Sequence, residues 1–142
     1  MMRHIWDLDA KGFELQRSGQ LREAIAVYQE ILRAKPDYKD GFIHHFLGQA
    51  YEDIGDFDQA ERYFKEALSF DSESVIFLAG YASFLSQRGR NEEAFDEYLK
   101  LLHAEVAARY SHEDTLTRIK SLGKSMLLSD DDISAKISEA KI

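Results

Sequence analysis

The sequence predicts an all-α chain of stacked helical hairpins, and three observations carry that expectation. One phrase occurs three times: a Gly, an Ala five residues on, and an aromatic four further on. It reads Gly19-Ala24-Tyr28, Gly55-Ala60-Phe64 and Gly89-Ala94-Tyr98, with steps of 36 and 34 residues between copies. A period near 34 is that of a helical solenoid, in which each hairpin leaves an apolar face that the next must cover. Apolar residues recur at three- and four-residue spacing almost throughout, with no strand signal. Finally, one Pro and eight Gly are the only strong breakers in 142 residues.

The elements follow in order. The spacing predicts helices over about 4–18, 21–34, 39–54, 57–70, 73–87, 91–107, 113–128 and 131–141. Gly19, Gly55 and Gly89 end the first, third and fifth, because glycine enters the left-handed region at little cost. Pro36 stops the second by excluding the preceding residue from helical geometry. Asp56 with Gln59 reads as a capping box for the fourth. Asn91 is the expected N-cap of the sixth. Ser129 with Asp132 is expected to cap the last.

Within each hairpin, small residues are expected to let the two helices approach: Gly12, Gly48 and Ala82 on the first helices, Ala24, Ala60 and Ala94 on the second. Tyr28, Phe64 and Tyr98 would fill the space between hairpins, with Leu15, Tyr51 and Leu85 packed onto them.

Net charge is −8, which argues against a nucleic-acid partner, since duplex binding needs a basic stripe. The charge is uneven. Residues 37–72 hold three Lys and Arg against nine Asp and Glu, a balance that suits a partner with basic character. There is no Cys, hence no disulfide framework, as expected of a reducing compartment such as the cytoplasm. The first seven residues turn polar too quickly for a signal peptide, and no apolar run is long enough for a membrane span. The chain is read as a single domain over 1–142.

The pattern resembles the tetratricopeptide repeat family. Leu47-Gly48, Tyr51, Gly55, Ala60, Phe64 and Ala67 carry the likeness in the middle copy. Gly12, Gly19, Ala24, Tyr28 and Pro36 carry it in the first, and Ala82, Gly89, Ala94 and Tyr98 in the third. The first copy departs from the pattern at Lys11 and Ile31, and the third lacks a terminal Pro. The resemblance covers residues 5–107, with repeats over about 5–36, 39–72 and 73–107. It implies a right-handed α-superhelix of three such hairpins plus C-terminal capping helices over 112–142. A fourth, degenerate copy through Ile119, Leu122-Gly123, Met126 and Ala135 is the other reading of that last stretch.

In such superhelices the first helix of each hairpin lines the concave side. The predicted peptide-binding groove is Trp6, Asp9 and Phe13 from the first hairpin, Phe42, His45, Phe46, Gln49 and Glu52 from the second, and Ser83 from the third. Aromatic anchors with an acidic rim suit a peptide or helix bearing apolar and basic residues. Truncating Phe42 and Phe46 is expected to abolish binding without changing helical content. Family members that clamp acidic C-terminal tails use Lys, Asn and Arg where this chain has Asp9, Phe13, Phe46, Ile76 and Gly80, so that clamp is expected to be absent.

No cofactor and no metal site is expected. His44 and His45 are adjacent on a helix and diverge, unlike an i, i+4 ligand pair; His44 is expected to be a packed ring and His45 a groove hydrogen-bonder. Adjacent carboxylates such as Glu92-Glu93 make poor acid–base pairs, so the chain is not expected to be an enzyme. The alternatives to a peptide groove are a homo-oligomeric scaffold, a small secretion-type chaperone, and rings covered by the chain's own termini.

Overall fold

The computed structural model describes residues 2–140, with side chains from Ile5 onward. Every regular element among them is helical: α1 (Met2–Arg17), α2 (Leu21–Ala34), a 3-10 turn (Tyr38–Gly41), α3 (Phe42–Ile54), α4 (Phe57–Phe70), α5 (Val75–Gln87), α6 (Asn91–Ala107), α7 (Glu113–Ser125) and α8 (Asp130–Ala140). The chain divides into two compact units, Met1–Asp71 and Ser72–Ile142. The division falls between the second and third hairpins, so each hairpin lies whole in one unit.

In the first unit α1 pairs with α2 and α3 with α4, and α2 packs on α3. Its core joins Ile5, Ala24, Ile25, Val27, Tyr28, Ile31, Ile43, Leu47, Ala50 and Tyr63. The small residues mark close approach, as the sequence suggests, and the neighbour they admit is the aromatic. A methyl group built on Gly12 would meet the Tyr28 ring at 2.6 Å, and one on Gly48 the Phe64 ring at 2.9 Å. The repeated glycine therefore seats the repeated aromatic of its own hairpin, and Tyr28 also reaches across to stack on Phe46 of the next hairpin, as expected of a residue between hairpins. Gly48→Ala is expected to destabilise by about 1–3 kcal/mol through overpacking, despite alanine's better helix propensity of about 0.5–1 kcal/mol. Urea unfolding checks it; a gain in stability would show that the ring has room to move.

In the second unit α5 pairs with α6, and α7 and α8 pack on α6 and on each other. Phe77, Phe84, Leu85, Phe95, Leu102 and Ile119 are fully buried there. Gly123 of α7 lies against Ile133 of α8, where an added methyl would come within 2.6 Å of the Ile side chain. The last pair thus repeats the glycine-under-side-chain device with an aliphatic in place of the aromatic.

Five helix ends share one hydrogen-bond pattern, in which the residue after a left-handed one donates its N–H to the carbonyl five residues back. The bonds are Gln20 to Leu15, Asp56 to Tyr51, Arg90 to Leu85, Tyr110 to Glu105 and Leu128 to Gly123. The left-handed residue is Gly19, Gly55 and Gly89 in three of them, but Arg109 (φ 61°) and Leu127 (φ 63°) in the others. Because Leu127 closes α7, that helix stops at Ser125, short of the expected residue 128. Leu127 is also 93 % exposed. Leu127→Gly removes both costs and is expected to stabilise by about 1 kcal/mol, read as a raised thermal midpoint.

The capping expectations divide. The Asp56 side chain accepts from the Gln59 N–H at 3.3 Å. Ser129 and Asp132 bond reciprocally at 3.0 and 3.2 Å. Asn91, by contrast, is the first residue of α6; Arg90 stands at the cap without a side-chain cap bond, its guanidinium held by Glu93 at 2.7 Å. The third helix begins at Phe42 rather than 39, because Lys39 and Asp40 take left-handed backbone angles that an α-helix cannot contain.

Candidate functional site

The first unit carries a groove of about 670 Å³ lined by Trp6, Asp9, Ala10, Phe13, Tyr38, Lys39 and Phe46. Positions 6, 9, 10 and 13 share one face of α1 by their three- and four-residue spacing. Ile5 turns to the core, which leaves Trp6, its neighbour, facing outward. Trp6 is 73 % exposed and Phe13 49 %. Four of the nine residues expected from the sequence, Trp6, Asp9, Phe13 and Phe46, meet in this groove.

Phe46 forms its floor. Its ring stacks on Tyr28 at 5.9 Å and meets Phe13 edge-on at 6.4 Å. The backing is held by a hydrogen-bond chain: the Tyr28 hydroxyl donates to Gln16 Oε1 at 2.8 Å, and Gln16 Nε2 donates to the Phe46 carbonyl at 3.2 Å. Phe42 touches Phe46 at 6.5 Å from the side. Both rings are half-buried, and Phe46 packs against the core. Truncating Phe46 is therefore expected to cost stability as well as binding, which makes the pair a poor probe of the groove alone.

His45 does not line the groove. It is 5 % exposed, its ring set between Phe46 at 5.8 Å and Phe64 at 6.0 Å. Burial pulls its pKa down to about 4, so it is neutral at pH 7. His44 is the packed ring expected, 5.0 Å from Phe70 and 6.2 Å from Tyr63. Burial lowers its pKa as well, against the opposing pull of Glu66. Gln49 and Glu52 are half-buried on α3 and are not among the groove-lining residues. Ser83 belongs to the second unit, where it accepts from Gln87 Nε2 at 3.2 Å.

The sequence reading missed the groove's other wall. Tyr38 and Lys39 come from the turn between the hairpins, not from a first helix. Lys39 Nζ sits 2.6 Å from Asp9 Oδ2, and the Tyr38 hydroxyl donates to the same oxygen at 3.3 Å. Burial and Asp9 both raise the Tyr38 pKa, and the bond to Asp9 raises that of Lys39. The signal available was the Asp37-Tyr38-Lys39-Asp40-Gly41 run, whose turn chemistry a helix from 39 overlooks. Among the described residues no cluster of three or more His, Cys, Asp or Glu is placed to hold a metal, and no helix is long and apolar enough to cross a membrane.

Paired helices with a glycine-seated aromatic at a period near 34 define a helical-repeat protein. Two family models match: the tetratricopeptide repeat over residues 8–73 and the YpiA-like C-terminal tetratricopeptide repeats over 42–105. The chain belongs to the tetratricopeptide repeat family. Among curated proteins it is 28 % identical to human Superkiller complex protein 3 over 123 residues, which are 87 % of this chain and 7 % of that protein. It is 26 % identical to human protein O-mannosyl-transferase TMTC2 over 85 residues, 59 % of this chain and 10 % of that one. The chain thus spans a tenth or less of these relatives.

Among solved structures, the first repeat domain of Spaghetti (RPAP3) bound to an HSP90 peptide superposes with a TM-score of 0.74 at 18 % identity, covering 87 % of this chain and 93 % of that one. The Yersinia enterocolitica type III secretion chaperone SycD, in complex with a peptide of the translocator YopD, gives 0.72 at 21 % identity, covering 87 % and 92 %. At these identities the likeness shows the shared fold.

Proposed function

We propose that this chain is a protein-interaction module whose first unit docks a peptide or helix in the Trp6–Phe13–Phe46 groove. The observation that carries the reading is Trp6. A large aromatic is left mostly in water beside a half-exposed Phe13, over a floor fixed by Tyr28 and Gln16. Burying such a side chain is worth about 1.5–3 kcal/mol, and rigid aromatic anchors are where interface energy concentrates. The solved relatives of this fold that hold peptides support the same reading.

Trp6 is the chain's only tryptophan, so its emission reports on this groove alone. A partner is isolated by pull-down from native extract with the wild type and with Trp6→Ala/Phe13→Ala. The expected result is a protein that only the wild type retains, and whose addition shifts Trp6 emission to shorter wavelength. A partner retained equally by both proteins, with Trp6 emission unchanged, would place the interaction elsewhere.

A further inference from the structure

The turn that closes the groove has left-handed backbone at three successive residues: Lys39 (φ 59°), Asp40 (φ 49°) and Gly41 (φ 101°). Only the last is glycine. Non-glycine residues held there are strained, and two in succession persist where surrounding contacts hold them. The turn is held from several sides: it packs on α3 and α4, the Asp40 N–H donates to the Asp37 carbonyl at 2.9 Å, and Lys39 and Tyr38 reach Asp9. The Asp9 side chain is only 14 % exposed, whereas that of Lys39 is half in water. A carboxylate in the groove wall, largely removed from solvent, thus takes its counter-cation from a strained and accessible turn.

The surrounding charge points to the kind of side chain that could take Lys39's place. Residues 37–72 contain three Lys and Arg against nine Asp and Glu. All three cations are already engaged within the unit: Lys39 with Asp9, Arg62 with Glu66, and Lys65 with Glu61. Over the whole first unit, residues 1–71, nine Lys and Arg stand against fourteen Asp and Glu, so an incoming segment approaches a net negative body. An acidic segment drawn to Lys39 would leave Asp9 without its cation in a poorly solvated place.

We propose that Lys39 is an exchangeable internal partner of Asp9, and that the groove takes a peptide placing an Arg or Lys on Asp9 next to an apolar side chain on Trp6 and Phe13. This rests on the groove reading given above. An Arg suits it best, because its planar fork can bridge both carboxylate oxygens where an ammonium meets one.

The test selects a randomised dodecapeptide library on the full chain and follows individual peptides by Trp6 emission. Selected peptides are expected to carry Arg or Lys beside an aromatic or aliphatic residue. Changing that Arg to Gln should weaken binding about ten-fold, as for loss of a poorly solvated charge pair. Asp9→Asn should abolish the difference between the two peptides. Lys39→Ala, which removes the competitor and leaves Asp9 intact, should tighten the Arg peptide several-fold; it carries the test alone if Asp9→Asn fails to fold. Peptides that shift Trp6 emission but are acidic or charge-indifferent, or a Lys39→Ala protein that binds the Arg peptide more weakly, would overturn this inference and leave the groove standing. If no selected peptide moves Trp6 emission, the groove reading fails and this inference with it.

Discussion

Tyr28→Ala is expected to lower stability by about 3–5 kcal/mol, the range for emptying a buried aromatic site. The ring is fully buried, rests over Gly12 on α1, and stacks against Phe46 on α3, so one side chain of α2 ties three helices together. A loss of that size is a large share of the 5–15 kcal/mol that holds an ordinary domain together. Tyr28→Phe separates packing from hydrogen bonding. It keeps the ring and removes only the bond to Gln16, at an expected cost of about 1 kcal/mol. Urea unfolding of both variants checks the ordering. If Tyr28→Ala cost no more than Tyr28→Phe, the ring would not be the keystone described, and Phe46 would need another support.

The second large effect is a loss of stability in mild acid. His45 has its pKa pulled from 6.5 to about 4 by burial. The unfolded chain therefore binds a proton near pH 6.5 that the folded chain refuses until about pH 4. The stability from the neutral ring is fully present above pH 6.5 and falls as pH drops through that window, by about 3 kcal/mol in all. His44, lowered for the same reason, adds a smaller change of the same sign. Unfolding free energies between pH 7 and pH 4 measure the slope. In His45→Gln, which cannot titrate there, the slope should shrink by most of that amount, whatever the variant's absolute stability. An unchanged slope would assign the acid sensitivity to other groups.

The groove bears on the same two residues. Its floor, Phe46, lies between Tyr28 and His45, so core and candidate binding surface share a wall. Substitutions meant to probe binding belong on Trp6 and Phe13, whose exposure frees them from that double role.

Much of the fold is legible in the residues because it is set locally or by a repeated contact. Gly19, Gly55 and Gly89 mark helix ends since their backbone angles are costly for other residues. Gly12 and Gly48 mark close approach because no side chain fits beneath Tyr28 and Phe64. Arg109 and Leu127 end helices in the same geometry without glycine. Their composition gives no sign of it: both residues are exposed, and the turns are closed by local backbone hydrogen bonds that any residue but proline can make. The groove was half legible. Helical spacing puts Trp6, Asp9 and Phe13 on one face of α1. Spacing says nothing about how far a neighbouring helix covers the next face, which is why His45, in phase with the groove positions, lies in the core.

The sequence by itself determined the all-α architecture, the hairpin period and the aromatic face of α1, because each follows from periodicity or from steric rules acting over a few residues. Only the tertiary structure decided that Asp9 is already satisfied by Lys39, that His45 is sealed between Phe46 and Phe64, and that the turn at 38–41 forms a wall of the groove. Those outcomes depend on which surfaces meet when hairpins pack, and the free energy of a meeting belongs to both partners, so neither local stretch encodes it alone.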